Sequence, residues 1–541
     1  MVGYPAYHLQ NRENHSMNTK TKKRICAALL ALVTLLLSAP AVSAETPAVW
    51  NGMTAESFAG GTGTQADPYR IETAEQLAYF AQAVAGGNDF AGEFIGLGAD
   101  LLLNDTKGWK NWGLTAPENT WTAIGTYEHP FSGNFSGDGH TVGGIYIHSE
   151  ESCQGLFGYA VNAVITGVGI ECSLIVGAYD VGGVLGYNNA VGGASLISDC
   201  YNAGDVCGTE GCAGGVVGYS FASDGAVGTV KNCYNKGSVS GGTNIGGVLG
   251  CFYVVEATAT VENCYSVGSV DGAGWIVGGV MSGIDANGGS VTLKNCFHAG
   301  SVCGGGYVGG VVGFCEAIGN GSTSVQDCFN AGSVGGGSFV GGVAGSQYSP
   351  SGTVTLKNCY SVGEVNGTDR VGGVAGSSES YEPEGVVGTA VVADCYYLSG
   401  SVKDGDGVAQ YGIGAEVQGE TVPDISGQTA ELSDGQMQQQ ESFAGFDFGT
   451  VWTMDGNRRY FYPELQGLPM VIKETWVKGD VNGDKSVDAF DYQMLKAYVL
   501  GTFPEATDEQ IARMRINDDT LIDAFDFQML KAAVLGTYVL E

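Results

Sequence analysis

The feature that most constrains this chain is a signature returning about every 32 residues through its middle. Gly-Gly-Val followed by a small or apolar residue begins at Gly182, Gly214, Gly246, Gly278, Gly309, Gly341 and Gly372, at spacings of 32, 32, 32, 31, 32 and 31. An apolar residue precedes each one: Val181, Ala213, Ile245, Val277, Val308, Val340 and Val371. A second signature, Asn or Asp, then Cys, then an aromatic, keeps step with the first through Cys200, Cys233, Cys264, Cys296, Cys328, Cys359 and Cys395. So regular a period means one structural unit stacked on copies of itself.

The unit is built of strands. Runs such as Ser290-Val291-Thr292-Leu293-Lys294-Asn295 alternate with period two, and glycine throughout penalises helix. Two or three short strands in about 32 residues fit one coil of a parallel β-solenoid, each coil pairing its backbone with the coils on either side. The glycines mark corners where the chain needs positive φ or close approach. The rival architecture is a β-propeller, but its blades run to ~40 residues or more. With 90 glycines of 541 residues and a hydrophobic share of 44%, composition agrees with short strands and tight turns around a core.

The cysteines follow the period too. Strict alternation through Ser290–Phe297 puts Asn295 and Phe297 on the face with Val291 and Leu293, and Cys296 on the opposite face, unless a bend intervenes. Coils about 4.8 Å apart bring neighbouring cysteines within disulfide range, and free structural thiols are the expectation. No Cys-x-x-Cys pair occurs, and 6 histidines are too few and scattered for a zinc site.

The repeats resemble the GLUG-motif family of bacterial surface and secreted proteins, over most of residues 57–470. The leading stretches Gly60-Gly61-Thr62-Gly63-Thr64-Gln65-Ala66-Asp67-Pro68-Tyr69-Arg70-Ile71 and Phe131-Ser132-Gly133-Asn134-Phe135-Ser136-Gly137-Asp138-Gly139-His140-Thr141-Val142 look like that family's, and Gly155-Leu156-Phe157-Gly158 like a divergent first repeat. The resemblance implies a β-helical scaffold and no single activity. A solenoid needs caps over its exposed strand edges. Thr73 to Ala85 reads as an amphipathic helix, with Thr73 and Gln76 as a capping box and Leu77, Phe80 and Ala81 facing the first coil. Phe446 through Trp452 to Tyr462-Pro463 reads as a closing rung.

A formal net charge of −34 disfavours nucleic acid, anionic membranes and acidic polysaccharides as partners. The amino terminus reads as a secretory signal over residues 1–44. A basic start (Lys20, Lys22, Lys23, Arg24) precedes an apolar run from Ile25 to Leu37, and Val42-Ser43-Ala44 offers small residues for cleavage. The signal is long from Met1, and Met17 offers a nearer start. The apolar run is shorter than the ~20 residues of a bilayer span, so the expectation is a secreted, extracellular protein without a membrane span.

Could the solenoid be an enzyme? A glycosidase needs two carboxylates facing one site. The position two before each Gly-Gly-Val reads Asp180, Cys212, Asn244, Ile276, Tyr307, Phe339 and Arg370, with no carboxylate pair, and no catalytic residue is assigned. Tyr307 and Phe339 fall on consecutive coils, with Trp275 one place offset on the coil before. This row is the candidate site for neutral polysaccharide, against the plainer reading of shallow surface packing.

Beyond residue 470 charge rises and a different repeat appears. Ala489–Thr502 recurs as Ala524–Thr537, with two differences in fourteen positions and an offset of 35. Ahead of the first copy, and numbering Asp480 as place 1, oxygen-bearing residues fall at places 1, 3, 5, 9 and 12: Asp480, Asn482, Asp484, Asp488 and Asp491, with the Ser486 carbonyl at place 7. That is the ligand spacing of a calcium loop. The second loop keeps Asn517, Asp519, Leu521, Asp523 and Asp526 at places 3, 5, 7, 9 and 12, but place 1 is Arg515. Metal binding there is expected to be weak or absent. Lys485 and Thr520 replace the glycine common at place 6.

This duplicated loop and helix resembles a type I dockerin. The resemblance implies a calcium-dependent module that docks on a cohesin domain of a scaffolding protein, in a complex of cellulosome type. The recognition positions it implies are Ala489, Phe490, Lys496 and Ala497, repeated as Ala524, Phe525, Lys531 and Ala532, while Met494, Leu495, Met529 and Leu530 form the module's own core. Two near-identical faces would allow docking in two orientations related by a half-turn. The expected organisation is a signal (1–44), a solenoid lead-in and cap (45–130), GLUG-like coils (131–400), a closing cap (401–470), a linker (471–478) and the dockerin (479–541). The expected function is a non-catalytic component of such a complex, with a polysaccharide-degrading β-helix enzyme as the alternative.

Overall fold

A computed structural model describes residues 47–380, 388–403, 411–418, 429–454, 460–468, 479, 481, 487, 489–503, 508–516, 522 and 524–534, with no side-chain description for 415–418, 508, 509, 512, 524 and 525. The proposed signal segment and most of the calcium loops lie outside the described residues.

From Val49 on, the chain winds as a right-through stack of parallel coils, and one coil shows the path. Leu249–Val255 forms the first strand, Thr258–Glu262 the second, Tyr265–Ser266 and Val270–Gly272 the third side, and Val277–Gly278 the corner back to the start. Each strand pairs in parallel with its counterparts one coil on and one coil back: Leu249 opposes Val217 and Met281, and Thr260 opposes Thr229 and Thr292. The described strands build an eleven-stranded sheet, a nine-stranded sheet and a seven-stranded column of corner strands two to four residues long, besides the strands of the third side. The fold is therefore a mainly β, parallel solenoid of about 32 residues per coil, and the propeller is excluded.

The Gly-Gly corner works by close approach. A Cβ on Gly278 would stand 1.9 Å from the Met281 carbonyl oxygen, and one on Gly279 2.0 Å from the Gly310 oxygen. No real side chain tolerates such contacts. The positive φ falls instead on the residue two before several of these corners, including Asp180, Asn244, Tyr307, Phe339 and Arg370.

The cysteine expectation needs correction. Cys200, Cys233, Cys264, Cys296, Cys328, Cys359 and Cys395 all point into the core, at 0–1% exposure. The bend responsible is the residue before each one. Asp199, Asn232, Asn263, Asn295, Asp327, Asn358 and Asp394 all hold φ of 52–57°, a left-handed conformation that Asn and Asp adopt most readily among residues with a side chain. One left-handed residue reverses the alternation, so Cys turns inward and Asn outward. Outside, the amides form a ladder: Asn232 Nδ2 donates to Asp199 Oδ1 at 2.9 Å, Asn263 to Asn232 at 3.1 Å, and Asn295 to Asn263 at 3.2 Å. Inside, each thiol donates to the carbonyl two residues back, as Cys296 does to Lys294 at 3.1 Å. Burial pushes the Cys200, Cys233, Cys359 and Cys395 thiols well above the ordinary thiol range. No disulfide joins cysteines among the described residues.

A second interior column is polar. Asn202, Asn235, Ser266, His298, Asn330 and Ser361 are all fully buried. The asparagines bridge their own turn: Asn330 Nδ2 donates to the Gly332 carbonyl at 2.8 Å and Oδ1 accepts its N–H at 3.1 Å. His298 interrupts them, and neither ring nitrogen has a well-formed hydrogen-bond partner.

Caps close the core. The first helix runs Ala74–Ala85 behind Thr73, whose capping box with Gln76 is complete, and Leu77 and Phe80 are buried against the first coils. The far segment is not the closing rung expected. The last parallel strand described, Thr429–Leu432, pairs with Cys395–Leu398. Residues 434–454 and 460–468 lie over the flank, where Phe443, Phe446, Trp452 and Leu465 bury the ring column Phe297, Phe329, Tyr360 and Tyr396. Trp452 Nε1 donates to Asp327 Oδ1 at 3.2 Å, anchoring this cover to the amide ladder. Among the described residues the cover pairs Trp452–Thr453 antiparallel with Glu464–Leu465 and bridges Leu465 to Leu468, and its rings make most of its contact with the coils.

Two outcomes follow for stability. Gly278→Ala should lower unfolding free energy by about 3 kcal/mol or more, the upper range of core overpacking, as measured by urea denaturation. His298 is held neutral by burial, its pKa lowered from 6.5 to about 4. Between those values the unfolded chain binds more protons than the folded one, so stability falls as pH drops from about 6.5 toward 4. His298→Asn, which restores the neighbouring asparagine pattern, should remove about 3 kcal/mol of that acid-side loss, read as a flatter urea midpoint against pH.

Candidate functional site

Among the described residues, the C-terminal module has the helices Ala489–Val499, Asp508–Met514 and Ala524–Val534. Its core is Val481, Leu495, Met514, Ile516 and Leu530, all nearly fully buried, with Met494 and Met529 packed partly against them. The duplication is visible in space: Leu495 pairs by sequence offset with Leu530 and Val481 with Ile516, and Tyr492 stacks on Phe527 at 4.6 Å between ring centroids.

Of the calcium ligands expected from sequence, Asp480, Asn482, Asp484, Ser486 and Asp488 in the first loop and Asn517, Asp519, Leu521 and Asp523 in the second lie outside the described residues. The place-12 carboxylates, Asp491 and Asp526, are described, and both are fully buried at the start of their helices. Asp526 Oδ1 accepts the Ile516 N–H at 2.7 Å, tying the helix to the start of its loop. The Gly479 N–H reaches the Arg513 carbonyl at 3.1 Å, tying the first loop's start to the middle helix. A buried carboxylate closing a loop of oxygen donors is the chemistry a hard cation requires. Loop 1 fits calcium on its donor set. Loop 2 fits less well, since Arg515 supplies positive charge at place 1. No cluster of three metal-ligating side chains occurs among the described residues.

The docking positions are largely on the surface. Ala489 and Lys496 are exposed, Phe490 is 71% exposed, and Ala497 is half-buried. On the second helix Lys531 is exposed and Ala532 half-buried, while the side chains of Ala524 and Phe525 lie outside the described residues.

On the solenoid, the aromatic row expected from sequence does assemble. Trp275 is 63% exposed and its ring stands 6.3 Å from Tyr307, whose ring stacks on Phe339 at 4.6 Å. The Arg370 guanidinium continues the row, 4.6 Å from the Phe339 ring and paired with Glu379 at 2.9 Å. Tyr307, Phe339 and Arg370 sit at φ of 27°, 54° and 52°, which bulky side chains adopt only at a cost. Gly306 leaves the space the Trp275 ring occupies, for a Cβ there would come within 2.6 Å of it.

One arrangement escaped the search of that single column. Asp285 and Glu316 lie in register on adjacent strands of the nine-stranded sheet, on the sheet face from which Phe314 reaches Tyr307 at 5.2 Å. Burial raises both carboxyl pKa values, and the charge of Asp285 raises that of Glu316 further. The signal was present in the sequence, seven or eight residues after the corner column on two successive coils.

Among the described residues, no helix is long and apolar enough to cross a membrane. No curated protein matches the chain. A solved structure from Bacteroides ovatus, described as a candidate immunoglobulin A1 protease, aligns with 76% of this chain and 95% of its own, at 19% identity and a TM-score of 0.40. At that similarity it assigns no chemistry. Residues 478–535 match the family model described as the dockerin type I domain, so the solenoid carries a type I dockerin at its C-terminal side.

Proposed function

We propose that this protein is a secreted, non-catalytic component of a cellulosome-like assembly. Its dockerin binds a scaffolding protein's cohesin when loop 1 holds calcium, and its solenoid, of the GLUG-motif type, presents a surface to neutral polysaccharide. The observation that carries the docking half is the match at residues 478–535 together with the exposed Ala489–Phe490 and Lys496 on the first repeated helix. An exposed Phe with a Lys at its rim is the usual composition of a small anchoring contact. Calcium, bound by Asp480, Asn482, Asp484, the Ser486 carbonyl, Asp488 and Asp491, would neutralise carboxylates that otherwise repel, and so hold the loop and the docking helix in one geometry. The ligand-facing half rests on the Trp275–Tyr307–Phe339 row, where a projecting indole and stacked rings offer apolar faces to a sugar.

A second reading is favoured by Asp285 and Glu316. Two half-buried carboxyls side by side, both raised by burial and Glu316 raised further by Asp285, are the kind of pair a glycosidase uses as acid and as base or nucleophile. Under that reading the aromatic row positions the chain to be cut.

For the dockerin, Asp480→Ala with Asp491→Ala should abolish calcium uptake by loop 1 and cohesin binding together, in calorimetric titrations of the full chain. Retained cohesin affinity after both substitutions would refute metal-dependent docking. For the solenoid, replacing Trp275, Tyr307 and Phe339 together by Ala should abolish sedimentation with insoluble neutral polysaccharide, with no sugar released by the wild-type chain. Released reducing sugar that Glu316→Gln eliminates would select the enzyme instead.

A further inference from the structure

A cavity of about 440 Å³ opens on the solenoid flank beside the last described residues of the C-terminal cover. Its floor is the amide ladder of Asp199, Asn232 and Asn263, its side is formed by Tyr234 and Tyr265, and Gly467 and Leu468 of the cover overhang it. The volume lies within the range of about 300–1,000 Å³ typical of small-molecule sites.

The ring column changes chemistry at this point. Tyr201, Tyr234, Tyr265, Phe297, Phe329 and Tyr360 stack one per coil, at 4.8–5.0 Å between centroids and within 11° of parallel. Beneath the cover, each tyrosine hydroxyl has a protein partner: Tyr360 donates to the Pro463 carbonyl and Tyr396 to the Ala444 carbonyl. The two covered rings between Tyr265 and Tyr360 carry no hydroxyl at all, being Phe297 and Phe329. Outside the cover, Tyr201 donates to Glu171 at 2.7 Å. Tyr234 and Tyr265, which line the cavity, make no hydrogen bond through their hydroxyls among the described residues. Burial raises both pKa values, that of Tyr265 to about 12, so both remain donors at neutral pH.

The amides add complementary groups. In the ladder Asn232 and Asn263 each donate one N–H and accept one, which leaves each a second N–H and a second oxygen lone pair. The cavity thus offers adjacent groups that both donate and accept, beside an apolar Leu468 wall. Vicinal hydroxyls of a sugar ring have the matching pattern. The single carboxylate, Asp199, and the overall negative charge disfavour an anion, and one carboxylate is too few for a metal.

We propose that this cavity is a binding site for the end of a neutral oligosaccharide, recognised by Tyr234, Tyr265 and the Asn232–Asn263 amides. The site is separate from the Trp275–Tyr307–Phe339 row and from the dockerin, and it does not rest on either. The test is calorimetry of the full chain with cellotetraose, xylotetraose, mannotetraose and tetragalacturonate. Saturable binding of at least one neutral tetramer is expected, with tetragalacturonate weaker. Tyr234→Phe with Tyr265→Phe should lower that affinity at least tenfold without touching the fold, since phenylalanine already fills the same column at the next two coils. Leu468→Trp should block the cavity to the same extent. Absence of binding by every neutral tetramer, preference for tetragalacturonate, or full affinity in either cavity variant would overturn the proposal. None of those results bears on calcium-dependent docking.

Discussion

Coil-to-coil contact at the paired glycines is the constraint from which the solenoid follows. At these corners the second glycine donates its N–H to a glycine carbonyl of the next coil, to the second glycine's from Gly183 and Gly215, and to the first glycine's from Gly247 to Gly278, Gly279 to Gly309, Gly310 to Gly341 and Gly342 to Gly372, the last four at 3.1 Å. Backbones this close leave no room for a Cβ, and a chain held this tightly at one point per coil cannot slip in register there. Register then propagates to every other column. Thiol meets thiol, amide meets amide and ring meets ring because equivalent residues are forced to the same height on successive coils. The ring stack and the amide ladder are consequences of that registration, and each adds its own small term: about 0.5–1.5 kcal/mol for an aromatic pair, and a comparable net amount for a hydrogen bond.

Stacking in one dimension also sets how such a body fails. Each coil touches only its neighbours, so stability accumulates from coil and interface terms rather than from one central core. A local fault is felt locally, yet the ends would fray without caps. The two ends solve this differently. The N-terminal helix covers the first coils with an apolar face, Leu77 and Phe80. The C-terminal cover runs back along the flank and shields four coils of the ring column at once. Tyr265 packs partly against this cover, and Tyr234 and Tyr265 line the cavity beside Gly467 and Leu468.

What was legible in the sequence was whatever a repeat enforces. The spacing of Gly-Gly-Val gave strand, coil length and solenoid, and Thr73 with Gln76 gave the capped helix. Alternation failed at the cysteines because it assumes extended backbone at every residue. Asn295 and its equivalents are left-handed, and the clue, an Asn or Asp at all seven positions before Cys, was readable as a conformational preference rather than a face. The flank cover was not legible, because Phe443, Phe446 and Trp452 have no period of their own, and their partners are defined only once the coils stack. The Asp285–Glu316 pair was hidden by searching one column, although the same 31-residue offset relates the two.

The dockerin is legible for a different reason, and this separates the two parts physically. A hard cation dictates oxygen donors at fixed steps of the chain, so its loop is written in the sequence even where its geometry is not described. The solenoid derives its order from neighbouring coils and needs no ligand. Among the described residues the dockerin has five well-buried core side chains, and Asp491 and Asp526 are buried at its helix starts, where a bound cation would offset the cost of burying charge. Order in the dockerin, under the docking reading, tracks divalent cation, while the stacked coils take theirs from one another. Under the docking reading, attachment can be made and released through the metal while the surface presented by the stacked coils stays unchanged.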